Sequence, residues 1–411
     1  MTDNDRTIIR DLAKQVVEIA ATDEQQARPG RWRAQNALEP HRPLVYCSPE
    51  GAWLELIPHD TLQCEDDDAR GLEHGLRVRI YAAERFHHDQ PCDNEFRVGR
   101  VVHNTGWGLG PEYVRPDEAR GAYVWESPIQ TMDDLEKIQT PEVSYDDDAT
   151  QRNLAHYQEL FGDILDVKLH GGLGWALNLI DEWTYLRGIT QTFLDMVDSP
   201  DLLHEGMRRM SEGKVTYLNQ LEQLGVLSCN NGNDYVGSGG IGYTDQLPQD
   251  DFDGAVRLKD MWGFGTAQTM SEVSPAMHEE FVLEYQLPVL ERFGLNCYGC
   301  CEPLHDHLDT LLARVPNLRR VSISPWTDKA ISAEKLGNQC IFSWKPNPAT
   351  LAGVEFDAAW VREDIRETVD IARASDCVLE IIIKDTHTCN HQPERFDEWT
   401  KIAMEEATRE A

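Results

Sequence analysis

The sequence predicts an α/β fold, a (β/α)8 TIM barrel with an N-terminal accessory α/β segment. Three observations predict it. From about residue 160, short apolar runs of strand length alternate with helical periods. The runs are spaced by tens of residues, which points to parallel pairing, because antiparallel neighbours need only a tight turn between them. The residues that follow each run are unusually polar, as at the C-terminal ends of barrel strands, where active sites gather.

The elements follow in order. Apolar residues recur at helical spacing over 6–27, and a polar stretch containing Arg and Pro occupies 28–41. Residues 43–47 read as a short buried strand, the first of the barrel. Alternating apolar and polar residues predict strands at 76–81 and 96–102. Gly106, Gly108 and Gly110 mark a loop around Trp107. Residues 1–150 thus divide off as an N-terminal helix and β-rich accessory region that contributes the first strand, and 151–411 as the main barrel. Within it, strands are predicted at 165–169, 224–228, 294–298, 318–324, 340–344 and 377–383. Residues 43–47 and a run at 267–270 complete eight. The clearest helices are 200–224, with Pro200 in its first turn, and 356–375. No Gly-x-Gly-x-x-Gly follows a first strand, which argues against a doubly wound dinucleotide-binding sheet.

A chain of 411 residues is long enough for a barrel of roughly 250 residues and an accessory region. Its formal net charge of −34 repels phosphate backbones and anionic lipid headgroups, so neither nucleic acid nor a membrane is an expected partner. A salty cytoplasm, which screens such self-repulsion, fits this charge. No apolar run is long enough to span a bilayer, and the polar start lacks a secretory hydrophobic region, so the expected location is cytoplasmic. In that reducing setting the ten cysteines are ligands, nucleophiles or core fillers rather than bridges. A homodimer is the commonest assembly for such an enzyme.

The candidate site residues stand after the strands. They are His170 and Trp175 after 165–169, and Asp234 in a glycine-rich stretch after 224–228. Tyr298, Cys300, Cys301 and Glu302 follow the next strand, then Trp326, Asn347, and finally Lys384, His387 and Cys389. Thiolates with imidazole or carboxylate are zinc ligands, and a catalytic zinc takes three protein ligands and keeps one position open. Cys297 falls inside its strand and reads as core, as do Cys229, Cys340 and Cys377. His305 and His307 read as surface or capping groups.

Several segments resemble the uroporphyrinogen decarboxylase-like superfamily, within it the corrinoid- and zinc-dependent methyltransferase branch. They are His170-Gly-Gly-Leu-Gly174, Met196-Val-Asp-Ser-Pro-Asp-Leu-Leu-His204, Val273-Ser-Pro-Ala-Met-His-Glu-Glu-Phe281, Tyr298-Gly-Cys-Cys-Glu302, and Leu336-Gly followed by Pro346-Asn-Pro348. The resemblance covers about 160–405, and more weakly 40–60. It implies a barrel with its ligand at the strand C-termini and methyl transfer between a small methylated substrate or thiol and a corrinoid protein. It also implies zinc held by Cys389 and by Cys300 or Cys301, with Cys297 a weaker match. The His of the family's His-x-Cys is absent, Tyr298 or Gly299 standing in its place. Glu302 becomes a third ligand or the proton donor to the leaving group. Asp234 positions the substrate with His170, Trp175, Tyr298, Trp326 and Asn347. The Arg cluster that holds a tetrapyrrole in the decarboxylase itself has no counterpart at 46–53. The competing chemistry is a metal-free decarboxylase or lyase using Asp234, Lys384 and His387 for acid–base work; a third is a barrel kept as a binding module.

Overall fold

Eight short apolar runs form parallel strands in the computed structural model, which describes residues 1–114, 124–174 and 176–410. They are β1 (Leu44–Cys47), β2 (Glu95–Gly99), β3 (Asp166–His170), β4 (Trp262–Gly265), β5 (Leu295–Tyr298), β6 (Leu318–Ile323), β7 (Ile341–Trp344) and β8 (Val378–Ile383). Six make one sheet in the order β1-β8-β7-β6-β5-β4, and β2 pairs with β3 in a separate ladder, every pair parallel. The protein is an α/β fold with a parallel sheet. β1, β4, β5, β7 and β8 are buried along their whole length, as parallel strands covered on both faces must be. Among the described residues, strand pairing does not join β1 to β2 or β3 to β4. At the second gap residues 226–228 lie against β3, the Ser228 amide donating to the Gly171 carbonyl at 3.0 Å.

Helices Pro200–Gln223 and Ala358–Ala374 stand as expected. The expected helix over 6–27 is two, Asp3–Ala20 and Asp23–Asn36, so it continues through most of the supposed polar connection. The reason is a polar but buried face. Gln35 and Asn36 reach the far end of the sheet interior, where Asn36 Oδ1 accepts from Arg320 at 2.7 Å.

The strand expected at 76–81 is instead helix Asp67–Arg85. This helix lies between two apolar clusters. Leu72, Leu76 and Ile80 pack on the first helix, whereas Val78, Tyr81 and Ala82 pack on the sheet layer. Two buried faces on one helix imitate alternation. The strand expected at 96–102 is β2, followed by Val102–Asn104, which pairs antiparallel with Val143–Tyr145. Residues 224–228 form no strand. The run at 267–270 is a 3-10 turn, and the strand lies just upstream as β4. Its Trp-Gly-Phe-Gly sequence looks loop-like, but Gly263 is needed for packing: a Cβ there would lie 2.4 Å from Asn296 Oδ1.

The interior of the sheet is polar at its centre. Arg320 of β6 and Glu380 of β8 pair at 2.8 Å with both side chains fully buried. Ser343 of β7, opposite Glu380 in register, donates to the same carboxylate. Among the described residues, no helix is long and apolar enough to cross a membrane.

Candidate functional site

β5 ends in Tyr298-Gly299, and Gly299 has φ +87°, a conformation that L side chains rarely adopt. The chain then turns through Cys300, Cys301 and Glu302. The Glu302 carboxylate holds this turn: Oε2 accepts the Cys300 amide at 2.9 Å, and Oε1 accepts the Thr266 hydroxyl at 2.8 Å and the Ala267 amide at 2.9 Å. Glu302 thus ties the end of β5 to the end of β4 and is itself buried.

Held this way, the Cys300 sulfur meets three groups. The Ser238 hydroxyl donates to it at 3.2 Å, the Cys301 sulfur is at 3.6 Å, and the Lys384 ammonium, from the residue after β8, is at 3.7 Å. Lys384 also donates to Ser238 and pairs with Asp385 at 3.3 Å, and the Cys301 sulfur reaches Asp385 at 3.9 Å. Cys300 is buried and Cys301 exposed. The hydrogen bond from Cys301 draws the Cys300 thiol down to about 7; burial opposes this, and Lys384 and Ser238 add to it. Cys301 moves the opposite way, because it holds the shared proton beside its neighbour's charge. Burial works against the Lys384 ammonium, but Cys300 and Asp385 outweigh it and raise it above its ordinary range.

Ser238 arrives on a glycine-rich segment that lies inside the sheet. A Cβ on Gly237 would meet Cys297 at 2.7 Å, one on Gly239 would meet Ile382 at 2.8 Å, and one on Gly240 would meet the Arg320 guanidinium at 2.1 Å. Only a chain without side chains there can pass so close to three strands. The same segment begins with Asp234, which pairs with Arg97 of β2 and accepts the Gly232 amide at 3.1 Å. Arg97, His170, Asp234 and Gly237 border a cavity of about 220 Å³ that β4 also lines. Burial lowers the His170 imidazole, with Asp234 partly opposing, so His170 is neutral there.

The other expected residues are dispersed. Tyr298 is fully buried, donating to Gln286 at 2.8 Å with His278 at 3.0 Å from its hydroxyl. Asn347 precedes the short helix Ala349–Ala352, its Oδ1 accepting the Ala349 amide at 3.0 Å. Trp326 is 65% exposed. His387 is exposed and lies over Gly51. Trp175 lies outside the described residues. Cys297 is core, as expected, with Arg320 3.6 Å from its sulfur.

Cys389 has its own partner. Its thiol donates to Glu55 at 3.1 Å, and the same carboxylate accepts the Cys389 and His391 amides, each at 2.9 Å, and the Thr388 hydroxyl. Burial opposes the Glu55 charge, yet these donors bring its carboxyl down to about 2; burial and Glu55 push the Cys389 thiol up to about 11. Among the described residues, no group of three or more His, Cys, Asp or Glu is gathered to hold a metal ion. The Cys300 and Cys301 sulfurs lie against each other, whereas the Cys389 thiol is taken up by Glu55.

Sequence reasoning missed Ser238, Arg97 and Lys345. Lys345 follows β7 directly, is buried, and donates to the Ser343 carbonyl at 3.0 Å. Burial lowers its amine to about 7, with Glu380 opposing and Lys384 adding to the fall. Its place after an apolar run was the available signal. Nothing local marks Ser238, whose partners Cys300 and Lys384 are distant in sequence, or the pairing of Arg97 with Asp234.

No family model matches this sequence. No curated protein matches it. Among solved structures, the chain is similar to a methyltransferase from Methanosarcina mazei. The match has a TM-score of 0.52 and 12% identity, and spans 92% of this chain and 98% of that one.

Proposed function

We propose that this protein is a methyltransferase acting on a small substrate at the mouth of a (β/α)8 barrel. The fold supports the barrel. Neighbours in the six-stranded sheet are neighbours in the chain, and the first strand meets the last, the order that closing a barrel needs. The likeness to a methyltransferase fold over nearly the whole chain supports the same architecture. The observation that carries the chemistry is the Cys300 thiol, held at a strand end between Ser238 and Lys384 with its ionisation drawn toward neutrality.

A methyl group on oxygen or nitrogen leaves a basic atom behind, so its transfer needs a proton at the right moment. The acceptor's lone pair forms a bond to the methyl carbon. The bond from that carbon to the heteroatom breaks, its electron pair stays on the heteroatom, and the Cys300 proton passes to it. Lys384 stabilises the thiolate left behind. With a thiol as acceptor, the Cys300 thiolate takes the thiol's proton instead. A group that ionises near the working pH serves both directions. Glu302 positions Cys300 and does not touch the substrate. The other methyl party, a corrinoid carried by a partner protein, is a second substrate in this proposal. No step runs through zinc.

The test uses free methylcobalamin and a small thiol with the purified protein, followed by the loss of methyl–cobalt absorbance. Cys300→Ala should slow the reaction by at least about 100-fold, the scale of general acid–base catalysis. Wild-type rates in both Cys300→Ala and Lys384→Met would sink the proposal.

Lys345 favours a second chemistry, a metal-free lyase in which its amine condenses with a substrate carbonyl and releases water. A desolvated lysine beside another cation is the arrangement that keeps such an amine neutral. Borohydride reduction in the presence of a small ketone would fix a mass adduct on Lys345 if this chemistry operates, and none if it does not.

A further inference from the structure

Cys300 and Cys301 are neighbours in the chain and their sulfurs also meet, 3.6 Å apart. The backbone of the turn sets this contact. The Gly299 amide donates to the Gly265 carbonyl at 2.9 Å, the Cys300 amide donates to Glu302 at 2.9 Å, and the Cys300 carbonyl accepts the Ser322 hydroxyl at 2.9 Å. Cys300 is therefore held at its amide, at its carbonyl and at its sulfur, which Ser238 and Lys384 approach. Cys301 is exposed, and its sulfur reaches Asp385 at 3.9 Å. The neighbouring thiols are engaged elsewhere: Cys297 lies against Arg320, and Cys389 donates to Glu55.

A thiol open to solvent, touching a second thiol that lies beside a cation, has the parts of an oxidation site: one sulfur meets the oxidant and the other resolves the product. We propose that Cys300 and Cys301 are a site of reversible oxidation, closing to a disulfide between adjacent residues when a hydroperoxide reaches this strand end. The proton between the two sulfurs can sit on either, so each can react as the anion in turn. The exposed Cys301 sulfur gives its electron pair to a peroxide oxygen. The O–O bond breaks, Cys301 becomes a sulfenic acid, and one water leaves with the thiol proton. The Cys300 sulfur, with Lys384 and Ser238 against it, then attacks the Cys301 sulfur. The S–O bond breaks, and hydroxide leaves and takes up the second proton as water. Two thiols and one hydrogen peroxide thus give one disulfide and two waters; the sulfurs lose two electrons and the peroxide gains them.

The geometry also makes the bond easy to undo. The sulfurs must close from 3.6 Å to about 2.05 Å, which the exposed Cys301 side chain supplies by turning toward the fixed Cys300. Adjacent α-carbons lie about 3.8 Å apart, short of the roughly 4.4 Å at which ordinary disulfides begin. A bond strained in this way and open to solvent is readily reduced by small thiols. While it lasts, the bond removes Cys300 from the chemistry proposed above. That consequence rests on the methyltransferase reading; formation of the bond does not, and it is read by mass alone.

The test treats the full-length reduced protein with hydrogen peroxide, alkylates it with iodoacetamide in denaturant, and maps it by mass spectrometry. Chymotryptic cleavage after Tyr298 separates Cys297 from the pair. The peptide that begins at Gly299 is expected to carry no alkyl group and to be about 2 Da lighter than its dithiol form, the mass of two hydrogens. Glutathione added before alkylation should return both thiols to the alkylated form. Cys301→Ser, a change at an exposed position, should lose the lighter product and add oxygen to Cys300 instead; a thermal melt before oxidation establishes that the variant folds. Three results would overturn the proposal. They are both thiols still fully alkylated after peroxide; oxygen added to Cys300 or Cys301 of the wild-type chain with no hydrogen lost; or a disulfide that joins either residue to a different cysteine. A bond that glutathione leaves intact would overturn its reversibility.

Discussion

The Lys384 ammonium lies 3.7 Å from the Cys300 sulfur, joining residues from the ends of β8 and β5. Neither side chain has that environment without the other's strand beside it. Removing the cation should therefore act on the thiol. A depressed thiol is ionised above its folded value, so Lys384→Met should move its ionisation upward from about 7. In the direction that uses the thiolate, the rate at pH 7 should fall about tenfold and recover as pH rises, a displacement visible in a pH–rate profile. An unmoved profile would mean that Lys384 does not tune Cys300.

Glu302 is braced by three donors and fully enclosed. Glu302→Ala leaves those donors unpaired and should cost about 3 kcal/mol in denaturant unfolding. Glu302→Gln, which keeps acceptor oxygen, should cost less and retain more activity. If Glu302 were the proton donor instead, the Gln variant would be inactive at full stability.

Arg320 and Glu380 pair deep in the sheet interior, and Ser343 and Gln35 also turn to that carboxylate. Glu380→Ala strands the guanidinium and should destabilise by about 3–5 kcal/mol. Chemical denaturation at neutral pH measures this directly.

Lys345 gives a pH signature of the same sense as a depressed carboxylate, but between about pH 7 and 10.5. Its amine is lowered to about 7 when folded and ordinary, 10.5, when unfolded. Between those values the unfolded chain binds more protons, so this group makes stability rise with pH, and below about 7 its full cost is present. Lys345→Met removes that cost. The variant should be more stable than wild type at pH 7, and the difference should shrink toward pH 10.

The Cys389 thiol donates to Glu55 at 3.1 Å. Cys389→Ser retains a donor and should change neither zinc content by atomic absorption nor stability by more than about 1 kcal/mol. Glu55→Ala frees four donors of the 388–391 loop and should cost considerably more. Zinc lost specifically in Cys389→Ser would restore the metal reading.

Elements with local signals could be read from the chain alone. The apolar runs of β1, β3, β5, β6, β7 and β8, the two long amphipathic helices, and the polar character of the strand ends were all legible, because periodicity records which face is buried. Cys300 and Cys301 were legible as a pair for the same reason. Folding set which neighbours each side chain finds. It made helix Asp67–Arg85 look like a strand by burying it on both faces, and it placed β4 in a glycine-rich run by close approach to Asn296. It gave Cys389 to Glu55, made Glu302 a brace, and brought Ser238 and Lys384 to Cys300. Contacts between residues tens to hundreds of positions apart leave no periodic trace in the chain; they exist only once parallel strands bring their ends to one edge of the sheet.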